Sequence, residues 1–157
     1  MPLQPSVQTS VRVQTLFFDM NSFFASVAQQ EEPQLQGRPL GVLTTDAPGA
    51  ACIAISVEAK ARGMKMGVRR NEASRLCPDM VFRPAKHDVY VEYHHAIRAA
   101  VDRVLPIEAA HSVDEFSCRL VGQQQELGAA LDIAVTHSPR SRREAISAML
   151  IPAAAAT

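Results

Sequence analysis

Two acidic stretches of the chain have the residue types and positions that a divalent-cation site requires. The run Phe17-Phe18-Asp19 ends an apolar, strand-like segment with a carboxylate, and Ser112-Val113-Asp114-Glu115 has two more beside a second such segment. Taken singly, each acid is more typical of a turn or a helix cap. Together, acids at two neighbouring strand ends would repel one another unless a cation neutralised them. We therefore expect Asp19, Asp114 and Glu115 to form one oxygen-rich metal site, the arrangement that serves phosphoryl transfer.

A local concentration of positive charge is the second chemical feature. The whole chain has a formal net charge of +0 and a pI near 7.0, so nothing global indicates a nucleic-acid ligand. Between Val57 and Arg70, however, the only acid is Glu58, and the basic residues are Lys60, Arg62, Lys65, Arg69 and Arg70. A run of this kind is also typical of a solvated helix face.

Composition limits the classes of protein that remain. With 157 residues and 47% hydrophobic residues, the chain can form one ordinary core, as one domain or as part of a larger one. The three cysteines form no CxxC pair, and we expect them to be buried thiols in a reducing compartment. No signal peptide and no apolar run of about 18 residues is present, which predicts a soluble, cytoplasmic protein without a membrane partner.

The elements that position these residues follow from hydrophobic periodicity and from breaker residues. Their order predicts an α+β fold with helices on one face of a mainly antiparallel sheet. We expect a strand over 11–18, a helix capped by Asn21 or Ser22 and stopped by Pro33, a hairpin of 39–43 with 50–55, helices capped by Ser56 and Asn71, a brief strand at 81–82, a long helix over 87–105, paired strands at 107–110 and 115–120, and a last helix at 127–134.

Several of these segments, in this order, resemble the motifs of the Y-family translesion DNA polymerases, of the DNA polymerase IV type. The run from Phe18 to Val27 resembles the first motif of that family, and Ser112-Val113-Asp114-Glu115 resembles its second carboxylate motif. Between them, the run from Val57 to Gly67 is similar to the fingers segment that meets the incoming triphosphate, and the run from Ala73 to Asp79 to the helix end after it. The resemblance extends from about Leu16 to Leu131.

The resemblance implies roles for individual residues. Asp19 and Asp114 would bridge two Mg²⁺ ions, and Glu115 and the backbone carbonyl of Met20 would complete the ligand set. The amides of Ser22 and Phe23 at a helix start, together with Lys60, would meet the triphosphate. Phe24 matches the steric gate against a ribose 2′-hydroxyl, whereas its spacing alone favours core packing. The residues expected to contact DNA are Arg62, Lys65, Arg69 and Arg70.

The chain also departs from the family pattern. Val57 and Lys60 stand where the family commonly has Tyr and Arg, and Asn21 replaces a frequent Asp. Lys neutralises phosphate as a point charge, without the bidentate fork of Arg. Beyond about Val135 we expect none of the further palm strand, thumb and additional DNA-binding domain (the little finger) that the family has. The basic and Ala-rich residues 138–157 are expected to be an irregular, aberrant tail.

The resulting interpretation is a ferredoxin-like polymerase palm with a small inserted fingers subdomain, the thumb and little finger missing. The palm is expected at 1–23 and 87–137 and the fingers at 24–86. The expected partners are primer–template DNA, deoxynucleoside triphosphates, and a sliding clamp or other repair proteins. The fragment is expected to be inactive alone, because it makes too few phosphate contacts to hold DNA.

Two alternatives remain. The first is a catalytically silent polymerase relative that acts as an interaction module in DNA repair. The second is an aspartate-nucleophile phosphatase, since an apolar strand ends in Asp19; that motif requires an Asp and a Thr nearby, and the chain has Asn21 and Phe23 instead.

Overall fold

The structure is a computed structural model that describes residues 11–136 and 147–152. Its first strand begins at Val13, where buried residues start to alternate with more exposed ones. Short 3-10 turns lie at Pro33–Leu35 and Gly122–Gln125. The helices and strands, in chain order, are β1 (Val13–Asp19), α1 (Phe23–Glu31), β2 (Leu40–Leu43), β3 (Cys52–Ile55), α2 (Val57–Ala61), α3 (Arg70–Leu76), β4 (Val81–Pro84), α4 (His87–Asp102), β5 (Ile107–Ala110), β6 (Glu115–Arg119), α5 (Leu127–Thr136) and β7 (Ser147–Pro152).

The larger sheet has four strands in the order β5-β6-β1-β7, and each neighbouring pair is antiparallel. Without the inserted segment from α1 to β4, the chain runs β1, α4, β5, β6, α5, β7. This is the βαββαβ order of a ferredoxin-like sheet, in which the first and third strands pair at the centre. The predicted α+β fold with a ferredoxin-like sheet is therefore confirmed.

The smaller sheet lies in the inserted segment and has the strand order β3-β2-β4. β2 and β3 form the predicted antiparallel hairpin, and β4 adds to β2 in parallel. All four residues of β2 are buried: Leu40 and Val42 pack in the main core, and Leu43 packs in a second, smaller core. That core also contains Cys52, Cys77 and Met80, and the main core is centred on β1 with Leu16, Phe18 and Phe116.

Helix caps show where local sequence signals were sufficient. The Ser56 side chain accepts a hydrogen bond from the Ala59 amide, as its position before α2 predicts. The cap predicted at Asn71 is wrong, because α3 already begins at Arg70 and Arg69 is its N-cap residue. The Arg70 amide donates to the carbonyl of Ala50, so pairing with the neighbouring segment sets this boundary.

The prediction for the end of the chain needs correction. The sequence predicted that 138–157 would be irregular and would contain no further palm strand. Instead, Ser147–Pro152 form β7, which pairs with β1 from Val13 to Asp19. A six-residue strand that follows a basic run and ends in a proline gives little periodicity. This strand depends on β1, whose edge offers it unpaired backbone groups. Pro152 ends a strand at the sheet edge, where its missing N–H is tolerated. Residues 138–146 and 153–157 lie outside the described residues.

No helix among the described residues is both long and apolar enough to cross a membrane.

Candidate active site

The pairing of β1 with β6 brings the predicted carboxylates to one end of the larger sheet. Asp19 and Glu115 are direct partners in the antiparallel register. One residue beyond this pair, the Met20 amide donates to the Asp114 carbonyl at 3.0 Å. Side chains of direct cross-strand partners lie on the same face with Cβ atoms about 5 Å apart. The backbone thus brings all three acids to one end of the sheet.

The side chain of Asp114 is held within its own turn. Ser112 Oγ donates to Asp114 Oδ1 at 2.6 Å, and the Asp114 amide donates to Ser112 Oγ at 3.3 Å. Over residues 11–136 and 147–152, no three His, Cys, Asp or Glu side chains are grouped to hold a metal ion. The donor types nevertheless suit a hard cation, since carboxylate and carbonyl oxygens meet here.

The connection from β1 to α1 has unusual backbone geometry. Ser22 is the N-cap residue of α1 and has a φ of 57°, the left-handed region that serine rarely adopts. Its side chain makes no capping hydrogen bond, contrary to the expected cap, although Ser26 N–H donates to the Ser22 carbonyl at 2.8 Å. The first four amides of a helix have no partner within it. In α1 these are the amides of Ser22 to Ala25, beside Asp19, and they suit an anionic group.

Lys60 reaches this connection from the inserted segment. Its Nζ donates to Oδ1 of Asn21, two residues after Asp19. The side chain otherwise lies at the surface. The sequence predicted that Lys60 would act near the first motif, but it did not predict Asn21 as its partner, since the contact joins α2 to the distant turn between β1 and α1.

Phe24 packs over an aromatic residue of α4. Its ring stacks on Tyr90 with centroids 4.2 Å apart and an interplanar angle of 23°. Phe24 is half-buried, whereas Phe23 and Tyr90 are buried. Burial raises the pKa of the Tyr90 hydroxyl. One face of Phe24 therefore has structural support, and the side chain still has exposed surface beside the helix start.

The predicted DNA-contacting residues fall into two groups. Arg62 pairs with Asp79 at 2.6 Å, and Arg70 pairs with Asp46 at 2.7 Å. Lys65 and Arg69 are exposed, and no ion pair or side-chain hydrogen bond joins either to another described residue. The sequence did not distinguish these groups, because both acidic partners lie outside the basic run.

The three cysteines are free and buried, as predicted. Burial raises the pKa of Cys52 and Cys118 to about 11, which keeps both as neutral thiols near pH 7. None of the three lies among the site residues.

The model of the impB/mucB/samB family matches residues 18–150, a range that includes both acidic motifs and most of β7. The chain belongs to this family. It is therefore a homologue of the Y-family DNA polymerases, as its motifs predict, and the match extends beyond Leu131, where the expected resemblance ended.

Two relatives show the extent of this similarity. The chain is 36% identical over 135 residues to DNA polymerase IV of Pelotomaculum thermopropionicum, covering 85% of this chain and 34% of that protein. It is 37% identical over 131 residues to DNA polymerase IV of Moorella thermoacetica, covering 82% of this chain and 33% of that protein. The chain thus spans about a third of the length of these curated relatives.

Solved structures support the fold. DinB from Sulfolobus solfataricus superposes with a TM-score of 0.74 at 21% identity, over 90% of this chain and 42% of that one. The post-insertion binary complex of Dbh DNA polymerase gives a TM-score of 0.75 at 21% identity, with the same coverage.

Proposed function

We propose that this chain supplies the palm and fingers of a translesion DNA polymerase that performs template-directed nucleotidyl transfer in DNA damage tolerance. The palm comprises 1–23 and 87–137, extended by β7, and the fingers comprise 24–86. The observation that carries the proposal is the register in which Asp19 faces Glu115, with Asp114 bonded to Met20 through the backbone. Membership of the family supports the reaction class.

In this proposal Asp19 and Asp114 would hold two Mg²⁺ ions, and Glu115 and the Met20 carbonyl would complete the ligand set. When bound, the ions would activate the primer 3′-hydroxyl and offset the charge of the triphosphate. The protein itself contributes the positions of the ligands. Strand pairing at the end of the sheet fixes the backbone from which the carboxylate side chains extend. The hydroxyl of Ser112 donates to Oδ1 of Asp114 and so orders this carboxylate.

The triphosphate lies at the start of α1, where the amides of Ser22 and Phe23 face its negative charge. When the triphosphate binds, Nζ of Lys60 donates to a phosphate oxygen instead of to Oδ1 of Asn21. Phe24, supported from behind by Tyr90, excludes a ribose 2′-hydroxyl. Primer–template DNA contacts the fingers through Lys65 and Arg69, whereas Arg62 and Arg70 mainly maintain the fingers through their acidic partners.

Location and other partners follow from this role. A repair polymerase of this type works in the cytoplasm, where a sliding clamp or other repair proteins would bring it to DNA. Because the described palm and fingers offer few phosphate contacts, we expect no primer extension by the 157-residue chain alone at physiological salt.

A chimaera tests the proposal. Residues 11–136 would replace the matching segment of the Moorella thermoacetica polymerase, which is 37% identical to this chain. The chimaera should extend a primer according to its template, and Asp114→Ala should abolish extension. Asp132→Ala, an exposed acid on α5, is the matched control and should retain activity.

A chimaera that folds and binds primer–template but extends nothing would contradict the proposal. That result would favour the alternative in which the chain is a catalytically silent relative that acts through protein contacts.

A further inference from the structure

His94 of α4 contacts the turn that carries the second acidic motif. Its Nδ1 lies 2.8 Å from the carbonyl oxygen of Val113, and because a carbonyl can only accept, Nδ1 donates. The ring also packs on Phe116 of β6, with centroids 5.3 Å apart. His94 is half-buried and occupies the same side of α4 as Tyr90, one turn away.

The peptide groups on both sides of Asp114 are held by different elements. The group joining Val113 to Asp114 is held at its carbonyl by His94 and at its amide by Ser112 Oγ. The next group is held at the Asp114 carbonyl by the amide of Met20 on β1. The relative orientation of these two peptide planes defines φ and ψ of Asp114.

We propose that His94 is a positioning residue, which fixes the backbone of Asp114 so that its carboxylate is held ready for metal binding. This inference rests on the proposed function for its purpose, but the geometry does not depend on it. Without His94, the Val113 carbonyl loses its anchor on α4 and the turn is fixed only from β1 and within itself. Asp114 then samples more backbone orientations, and a ligand that must be ordered on binding binds more weakly.

The test compares His94→Phe, which keeps a ring on Phe116 but cannot donate, with His94→Asn, which restores a donor. His95→Phe is the control, because it keeps a ring beside the His94 ring at an exposed position of α4. Amide hydrogen exchange of Met20, measured by NMR without metal, reports the Met20 to Asp114 bond. Mn²⁺ titration, followed by melting temperature, reports the affinity of the site.

We expect His94→Phe to speed exchange of the Met20 amide about fivefold, the effect of one net hydrogen bond. It should also raise the Kd for Mn²⁺ about tenfold. His94→Asn should restore both values, and His95→Phe should change neither. If His94→Phe does not fold, His94→Leu takes its place.

Unchanged Met20 exchange in the folded donor-free variant would overturn the positioning role. A wild-type chain that binds no Mn²⁺ would contradict the proposed function instead, and Met20 exchange would still decide the role of His94.

Discussion

Asp19 and Glu115 face each other as direct partners at the end of the β1 and β6 ladder. Like charges directly opposite each other on one face of a sheet destabilise it. The carboxylates come from two strands separated by the whole inserted segment, so local sequence does not force them together. In the proposed site, a bound cation would offset this repulsion.

The steric gate gives the first prediction. In the chimaera, Phe24→Ala should raise the ratio of ribonucleotide to deoxyribonucleotide incorporation about tenfold or more, since removing a clash of ~1.4 kcal/mol changes a rate ratio tenfold. Phe24→Tyr keeps the ring and should retain discrimination. Single-nucleotide incorporation kinetics measure the ratio. An unaltered ratio for Phe24→Ala would mean that its stacking on Tyr90 serves packing alone.

The basic residues of the fingers give the second prediction. Lys65→Ala and Arg69→Ala in the chimaera should each lower the slope of log affinity for DNA against log salt by about 1, the effect of one lost phosphate contact. Arg62→Ala and Arg70→Ala should leave the slope nearly unchanged, because their guanidinium groups already pair with Asp79 and Asp46. Fluorescence anisotropy over a salt series measures the slopes. An equal decrease of the salt slope in all four variants would refute the division into DNA-contacting and ion-paired residues.

The inserted segment should show an acid-sensitive contribution to stability. Arg83 donates to both carboxylate oxygens of Glu32 at 2.7–3.1 Å, and these hydrogen bonds lower the pKa of Glu32 below its usual 4.5. The stabilisation is complete above the unfolded pKa and disappears as pH falls through the lower folded pKa. Glu32→Gln should therefore cost about 1 kcal/mol at pH 7 and almost nothing near pH 2.

Urea unfolding at a series of pH values measures this difference. Glu92→Gln, an exposed acid on α4, is the control and should show no such dependence. A pH-independent cost for Glu32→Gln would contradict the role of its charge.

Local patterns in the sequence were sufficient for most elements. Alternation predicted β1, two short apolar runs joined by turn residues predicted the β2 and β3 hairpin, and apolar spacing predicted α4. Local patterns failed where tertiary contacts determine whether an element forms or where it begins. β7 is a short strand that depends on the edge of β1, and the start of α3 depends on pairing with Ala50.

The candidate site divides in the same way. Residue types and motif order predicted Asp19, Asp114 and Glu115, because the chemistry needs those groups. Neither spacing nor composition could predict that Lys60 bonds to Asn21, or that His94 holds the Val113 carbonyl. Each of these contacts joins elements whose relative position is set by the whole fold.

Divalent-metal binding by the unmodified chain tests the central claim most directly. Mg²⁺ or Mn²⁺ should raise the melting temperature by several degrees, since a ligand that binds only the folded state stabilises it. Asp19→Asn combined with Asp114→Asn should abolish the rise, whereas the matched surface change Asp132→Asn should keep it. A metal response that is equal in the wild-type chain and the Asp19 and Asp114 double variant would contradict the assignment of these carboxylates to a metal site.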